Sequence, residues 1–219
     1  MTPPIAPVAA LVPDPSRATH IVVDDRRGSA EPEILREFAT YDHVAVRCER
    51  LHAGDFMFLG HGPEGICSFG FERKTWSDYI QSLEKGRLMA QAAALVGFEG
   101  TPPAYRFPFL VVEGVWKPDA TGNMMIPGAG PGRWQYPPGL RTFPVEKLEN
   151  SMMMLSIGCG LRVIRTASMR DTVAMLIRTA RLVSKQWESH QTIRGYSTIS
   201  FATHAEFVNP TAVRAVASV

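Results

Sequence analysis

An apolar run that leads directly into charged residues most constrains how this chain can fold. The run Ile66-Cys67-Ser68-Phe69-Gly70-Phe71 has the length and composition of a buried strand, and Glu72-Arg73-Lys74 follows it without a break. Side chains alternate between the faces of a strand, so Glu72 and Lys74 project on one side and Arg73 on the other. The sequence therefore predicts a strand that ends with a carboxylate and an ammonium group side by side.

A second apolar run predicts a neighbouring strand. Residues 55–59 are separated from residues 66–74 by Gly60-His61-Gly62-Pro63, which is a hairpin signal. The two strands of a hairpin are adjacent, so Asp55 and Glu72 would lie on neighbouring strands. Two carboxylates and Lys74 are thus expected to share one region of the surface.

Strands and helices alternate along most of the chain. The patterns predict further strands at residues 21–24, 43–51, 107–113 and 161–165, and helices at residues 33–39, 76–96, 145–157 and 168–187. Strands separated by helices are typical of an α/β fold, with a mixed central sheet flanked by helices on both faces.

The chain has 219 residues, of which 45% are hydrophobic and 20% charged. This length and composition are typical of one globular domain with flexible ends. Residues 1–18 are rich in proline and alanine and are expected to form a flexible leader. Residues 19–187 form the domain, and residues 188–219 form an extension of unassigned role with a β-like patch at 199–207. Residues 117–144 hold five glycines and six prolines. So long a loop is expected either to bind something or to be disordered.

Composition also excludes several classes of protein. The net charge is only +2, so any contact with nucleic acid must come from local clustering of basic residues. The three cysteines form no C-x-x-C pair, and the six histidines show no metal-ligand spacing. Neither an apolar run of membrane-spanning length nor an export signal is present, which predicts a cytoplasmic protein with no membrane partner.

Four motifs occur in a fixed order along the chain. They are Val23-Asp24-Asp25-Arg26-Arg27, Gly54-Asp55, the run Glu72-Arg73-Lys74 with Asp78, and Ser82-Leu83-Glu84-Lys85-Gly86-Arg87-Leu88-Met89-Ala90-Gln91. Over residues 21–187 this composite pattern resembles the nuclease domain of the XPF/Mus81 (ERCC4) family of structure-specific DNA endonucleases. The resemblance implies a restriction-endonuclease-like core of the PD-(D/E)XK type.

The resemblance also implies a site. Its metal-binding positions match Asp24, Asp55 and Glu72, and its catalytic positions match Asp55, Glu72, Lys74 and Asp78. Supporting or DNA-binding roles fall on Arg26, Arg73, Arg87 and Gln91. Carboxylates are hard oxygen ligands, so Mg²⁺ or Mn²⁺ is the expected cofactor. Lys74 would orient or deprotonate the attacking water, or stabilise charge in the transition state.

Four of these residues have alternative interpretations. Thr75-x-x-Asp78 is close to a capping box, so Asp78 is as well explained as a helix cap as by support of the metal site. Arg73 suits either a structural ion pair or a DNA phosphate. Arg87 and Gln91 share a helix face that is ordinarily just solvated, although the resemblance favours a place beside the cleft.

Other residues outside the motifs are also candidates. Glu113 ends a strand and could approach the same cleft, but solvation in a loop is its expected state. Trp134 and Tyr136 are expected to pin the insertion onto the core, with stacking on an unpaired base as the alternative.

One departure from the family pattern concerns the first motif. The family usually has glutamate where this chain has Arg27, which leaves Asp25, Glu31 or Glu33 as possible substitutes.

The resemblance implies a metal-dependent DNA endonuclease that acts on branched, flap or junction DNA. It also implies a dimer through the last helices of the domain, here a homodimer through the helix at residues 169–187. Two alternatives remain at this stage: a non-catalytic DNA-binding scaffold subunit of a nuclease dimer, and a standalone nuclease with little preference for junctions. The retained acids argue against the scaffold, because clustered carboxylates repel one another without a metal.

Overall fold

The structure is a computed structural model that describes residues 13–14, 18–26, 28–97 and 102–190. Most of the predicted leader, Arg27 and residues 191–219, which include the β-like patch, lie outside the described residues. None of the described helices has the length and apolar character needed to cross a membrane.

The first half of the domain carries the hairpin and the helices that follow it. Its elements in chain order are strand β1 (Thr19–Asp24), helix α1 (Pro32–Phe38), strands β2 (Val44–Glu49), β3 (Phe56–Gly62) and β4 (Gly65–Thr75), and helices α2 (Trp76–Glu84) and α3 (Arg87–Val96). Strands β3 and β4 pair antiparallel, with Phe56 opposite Phe71. The predicted hairpin is therefore confirmed.

The second half adds two sheet strands and the insertion. Its elements are strand β5 (Phe107–Glu113), the short strands β6 (Lys117–Pro118), β7 (Met124–Pro127) and β8 (Trp134–Gln135), helix α4 (Val145–Cys159), strand β9 (Arg162–Thr166) and helix α5 (Met169–Val183). A 3-10 turn at Trp187–Ser189 follows. Helix α5 thus ends four residues before the predicted boundary.

Six strands form one mixed sheet in the order β2-β1-β3-β4-β5-β9. Strands β4, β5 and β9 run parallel, with Thr75 opposite Glu113 and Glu113 opposite Thr166. Strand β3 runs antiparallel to both β1 and β4, so its start meets the ends of those two strands. Asp24, Asp55 and Glu72 therefore come from one edge of the sheet.

Both faces of the sheet are covered, as predicted. Helices α1 and α5 pack on one face with Ile34, Phe38, Val173, Leu176 and Ile177 against the sheet phenylalanines. Helices α2, α3 and α4 cover the other face with Tyr79, Ile80, Leu88, Leu95, Leu148 and Leu155. The mixed sheet between two helical layers confirms the predicted α/β fold class.

Two predicted boundaries were wrong. The hairpin turn consists of Pro63 and Glu64, not residues 60–63, because Gly60 and Gly62 continue the β3 ladder opposite β4. The single helix predicted for residues 76–96 is two helices, because Gly86 adopts the left-handed conformation at φ 68° and separates α2 from α3.

The insertion at residues 117–144 is folded as a three-stranded sheet with the order β6-β7-β8. Met124, Ile126 and Phe143 are buried in the core and attach the sheet to the domain. Trp134 and Tyr136, predicted to do this, instead contact the insertion itself. The Lys117 ammonium lies 4.6 Å from the Trp134 ring centre, and the Tyr136 hydroxyl donates to Asp119 at 2.8 Å.

Candidate functional site

The edge where β3 begins and β4 ends carries a polar cleft of about 390 Å³. Its acidic side chains are Glu31, Asp55, Glu72 and Asp78, and its basic side chains are Arg73, Lys74 and Arg87. Polar residues complete the lining, among them Ser29, Gln81, Ser82 and Gln91. The structure thus brings together seven of the predicted site residues: Asp55, Glu72, Arg73, Lys74, Asp78, Arg87 and Gln91.

Asp55 is held from two sides. Its Oδ1 accepts from the Ser29 hydroxyl at 2.5 Å, and its Oδ2 accepts from the Arg73 main-chain N–H at 2.6 Å. Each carboxylate oxygen retains a further lone pair. Asp55 is therefore fixed in orientation and still able to bind a cation.

Glu72 and Lys74 lie together on one face of β4, as the alternation of side chains predicted. The Lys74 Nζ is 3.1 Å from Glu72 Oε1, and the Lys74 side chain is only 7% exposed. Burial raises the pKa of Glu72, and the nearby Asp55 carboxylate raises it further, although Lys74 acts in the opposite direction. When both are ionised, the Glu72 and Asp55 carboxylates therefore repel each other, and a bound cation would relieve that repulsion.

Gln91 supplies an unpaired acceptor beside Glu72. Its Nε2 donates to Glu72 Oε1 at 3.4 Å, while its Oε1 is buried and accepts no hydrogen bond from any residue that the structure describes. A buried amide oxygen without a donor is unfavourable. Because amide and carboxylate oxygens are ligands for hard cations, Asp55, Glu72 and Gln91 Oε1 fit a divalent metal.

The described residues contain no group of three or more histidine, cysteine or acidic side chains gathered closely enough to hold a metal. A site here would rest on two carboxylates and the Gln91 amide. That number suits Mg²⁺, which usually keeps several of its waters and is bound through one or two carboxylates.

Asp24 lies outside this cleft, contrary to its predicted place as a metal ligand. It is fully buried, and its Oδ1 accepts from the Leu51 N–H at 2.8 Å, while Oδ2 pairs with the Arg26 guanidinium. Burial alone would raise the pKa of Asp24, but these hydrogen bonds outweigh burial and lower it. The contacts of Asp24 tie the end of β1 to the loop after β2.

Arg26 connects Asp24 to the site. Its Nη2 donates to the Gly54 carbonyl at 3.2 Å, directly before Asp55. The hydrogen bond with Asp24 raises the pKa of Arg26, and the charges of Asp55 and Glu72 add to this effect. The geometry gives Arg26 a supporting position beside the two acids.

Arg73 forms a structural ion pair on the opposite face of β4. Its Nε and Nη2 donate to the two oxygens of Glu113 at 2.8 and 2.7 Å. The expectation that Glu113 is solvated was wrong: it is 8% exposed, because helix α5 covers the end of β5. Arg73 is nevertheless among the residues that line the cleft.

Thr75 is the N-cap of helix α2, and Asp78 is its partner in the first turn. The Asp78 main-chain N–H donates to the Thr75 hydroxyl at 3.2 Å, and the Asp78 carboxylate accepts from the same hydroxyl at 2.6 Å. The capping interpretation therefore holds. Because Asp78 also lines the cleft, the cap does not remove its carboxylate from the site.

Sequence reasoning did not single out Ser29, and it left Glu31 as one of three substitutes for the acid missing at position 27. Glu31 is exposed and lines the cleft, whereas Asp25 pairs with Arg50 at 2.5 Å and Glu33 lies 3.8 Å from Arg36 on α1. The position of Ser29 in the turn between the first motif and α1 was the available signal. Its contact with Asp55, 26 residues away, was not visible in any local pattern.

Comparisons with known proteins bear on the fold and on the family. No curated protein sequence matches the chain. The solved structure of XPF from Aeropyrum pernix is similar, with 24% identity and a TM-score of 0.51, over 85% of this chain and 72% of that one. XPF from Aeropyrum pernix in complex with DNA is 24% identical with a TM-score of 0.48, over 84% of this chain and 76% of that one.

A family model supplies the assignment. The ERCC4 domain model matches residues 23–179, which is most of the chain and contains every element from the end of β1 to the greater part of α5. Because this match covers well over half of the sequence, the chain belongs to the ERCC4 domain family.

Proposed function

We propose that this protein is a divalent-metal-dependent endodeoxyribonuclease that hydrolyses phosphodiester bonds in branched, flap or junction DNA. The observation that carries the proposal is that Asp55, Glu72, Lys74 and Gln91 line one cleft. Hydrolysis of a phosphodiester needs a positioned water and neutralisation of charge on the phosphoryl oxygens. The cleft contains groups for both tasks.

The residues of the cleft would have different chemical roles. Asp55, Glu72 and Gln91 Oε1 would hold Mg²⁺ or Mn²⁺, which when bound supplies a Lewis acid and lowers the pKa of a water. The Lys74 ammonium lies where it can orient that water or stabilise charge on the phosphoryl group. Arg87 is exposed at the cleft and suits a DNA phosphate.

Charge in the cleft supports the need for a cation. Its lining holds four carboxylates and three cationic side chains, so the cleft alone does not attract a polyanion. A divalent ion reverses that balance at the place where the scissile phosphate must sit. DNA binding at this site is therefore expected to depend on the metal.

A second candidate, a non-catalytic DNA-binding subunit, is favoured by one observation. The described residues gather no group of three metal-binding side chains, and Asp24 is fully buried and does not line the cleft. In this case the protein would bind DNA and leave cleavage to a partner. A standalone nuclease with little junction preference is the third outcome of the same test.

Labelled duplex, splayed-arm, flap and four-way-junction DNA distinguish these functions. With Mg²⁺ or Mn²⁺, the protein is expected to cut the branched forms in preference to duplex, and Asp55→Asn or EDTA is expected to abolish cleavage. Equal cleavage of all substrates would favour the nuclease without junction preference. Tight binding without cleavage would favour the scaffold, and activity in EDTA would contradict a metal mechanism.

We further propose that the protein forms a homodimer through the last helices of the domain. Helix α5, the predicted contact, directs Val173, Leu176, Ile177 and Ala180 into the core and exposes Leu182. Helix α4 instead presents an apolar patch of Met153, Met154 and Ile157, which are 58, 63 and 75% exposed. Such a contiguous patch is typical of a protein-binding surface, and a second copy is the proposed occupant.

Ile157→Glu is expected to convert the dimer to a monomer, because it places a charge in the middle of the apolar patch. Light scattering after gel filtration should show a wild-type mass of twice the 24.1 kDa chain and a variant mass of one chain. Ser156→Glu adds the same charge at a neighbouring exposed position outside the patch and serves as the control. A monomeric wild type, or a variant that stays dimeric, would rule out this interface.

A further inference from the structure

A buried chain of hydrogen bonds connects helix α5 to the cleft. The Thr172 hydroxyl of α5 donates to Glu113 Oε2 at 2.7 Å, and Glu113 accepts both hydrogen bonds from the Arg73 guanidinium. The main-chain N–H of Arg73 in turn donates to Asp55 Oδ2 at 2.6 Å. The chain therefore runs from Thr172 through Glu113 and Arg73 to Asp55.

Both carboxylate oxygens of Glu113 accept hydrogen bonds. Its Oε1 accepts from Arg73, and its Oε2 accepts from both Arg73 and Thr172. Thr172 also lies 2.7 Å from the Thr166 hydroxyl, at the end of β9. A hydroxyl has one proton, and Thr172 gives its proton to Glu113, so Thr166 is the donor in that contact. The ends of β4 and β5 and helix α5 thus meet at the Glu113 carboxylate, and Thr172 connects them to the end of β9.

Arg73 connects this hydrogen-bond network to the cleft. Arg73 lies between Glu72 and Lys74, and its side chain is fixed by Glu113 on the opposite face of the strand. The Arg73 side chain is only 15% exposed, and a charge buried to this extent destabilises the fold when no opposite charge pairs with it. Without Glu113, the Arg73 guanidinium would turn toward solvent or toward the cleft carboxylates, where its charge would compete with a cation for Asp55 and Glu72.

We propose that Glu113 is a positioning residue, which with Thr172 holds Arg73 so that Asp55 and Glu72 stay arranged for the metal. This inference rests on the proposed function of the same cleft. Bidentate pairing fixes orientation as well as charge, which a single salt bridge does not. Groups that orient metal ligands typically affect affinity although they never touch the metal.

Mn²⁺ binding by calorimetry, together with single-turnover cleavage, tests the proposal in the full-length chain. Glu113→Gln is expected to weaken Mn²⁺ binding and slow cleavage, each by about 10- to 100-fold. Thr172→Val removes only the hydroxyl at nearly constant volume, and about a tenfold loss is expected. Thr172→Ser retains the donor and is expected to stay within about twofold of the wild type.

A stability control separates positioning from general loosening of the fold. Leu176→Ala removes a fully buried side chain from α5 without touching the hydrogen-bond chain. At a temperature well below every melting point, this variant should bind Mn²⁺ like the wild type. An equal loss in Leu176→Ala and Thr172→Val would overturn the positioning role.

The remaining outcomes are also decisive. If Glu113→Gln fails to fold, the comparison of Thr172→Val with Thr172→Ser decides, since both preserve the carboxylate and its pairing with Arg73. Wild-type Mn²⁺ affinity and cleavage rate in folded Glu113→Gln and Thr172→Val would overturn the proposal while the nuclease function stands. If the wild type binds Mn²⁺ and cuts no DNA, the nuclease function fails, and the Mn²⁺ affinities still test the positioning role.

Discussion

Glu72→Gln is expected to lower the rate of DNA cleavage by roughly a thousandfold, which corresponds to about 4 kcal/mol of lost transition-state stabilisation. Glu72 is one of the two carboxylates proposed to hold the metal, and it accepts a hydrogen bond from the Gln91 amide. A neutral amide in its place offers a weaker ligand and leaves the cation with less charge compensation. Single-turnover cleavage and Mn²⁺ calorimetry measure the two losses separately.

The same variant is expected to fold as well as the wild type. Burial and the charge of Asp55 raise the pKa of Glu72, so its ionised form is less favourable in the folded chain than in the unfolded one. An acid with a raised folded pKa costs stability once the pH exceeds its unfolded pKa, and glutamine removes that cost. At pH 7 without metal, the melting temperature of Glu72→Gln should therefore not fall below that of the wild type.

Asp24→Asn is the matched control, because it also neutralises an acid at this edge of the sheet. The pKa of Asp24 is lowered, so its ionised form stabilises the fold above its unfolded pKa, and this contribution is lost as the pH falls through the folded pKa. Asp24→Asn should lower the melting temperature at pH 7 and leave Mn²⁺ affinity unchanged. A large loss of Mn²⁺ affinity would instead indicate that Asp24 binds the metal.

The parts of the site that sequence could predict depend on local geometry. Strand alternation separated Glu72 and Lys74 from Arg73, and the hairpin placed Asp55 beside Glu72. Both inferences need only the period of a strand and one turn. The capping interpretation of Asp78 was of the same kind, since its partner Thr75 is three residues away.

The parts that sequence could not predict depend on contacts between distant residues. The burial of Glu113 follows from Arg73, 40 residues earlier, and Thr172, 59 residues later. The engagement of Asp24 by the Leu51 N–H depends on how the loop after β2 returns to β1. An acid at a strand end gives the same local signal whether it faces a cleft or pairs with the protein.

The errors in predicting helices and strands also arise because local patterns do not report the tertiary structure. Helices α2 and α3 bury the same kind of apolar residues, so the hydrophobic pattern continues through Gly86 although the backbone does not. The strands of the insertion contain two to four residues, which is too short for a periodic pattern. What attaches the insertion is the burial of Met124, Ile126 and Phe143, which no local pattern reports.

Lys74→Met is expected to reduce the cleavage rate by about 100- to 1,000-fold and to leave Mn²⁺ binding intact. Methionine fills the buried space of the lysine stem but removes the ammonium 3.1 Å from Glu72. Removing that ammonium raises the pKa of Glu72, so the comparison is made at a pH where Glu72 is still ionised; there Mn²⁺ affinity should stay the same or rise, because the cation no longer competes with Lys74. The loss should appear in the chemical step rather than in metal binding.

Comparison with Glu72→Gln makes this separation of roles testable. If Lys74 acts on the water or the phosphoryl charge, Lys74→Met slows single-turnover cleavage at saturating Mn²⁺, and added metal does not restore the rate. If Lys74 serves only to hold Glu72 in place, both variants lose Mn²⁺ affinity together and high metal concentrations rescue Lys74→Met. The second outcome would leave Asp55 and Glu72 as the metal site and remove Lys74 from the chemistry.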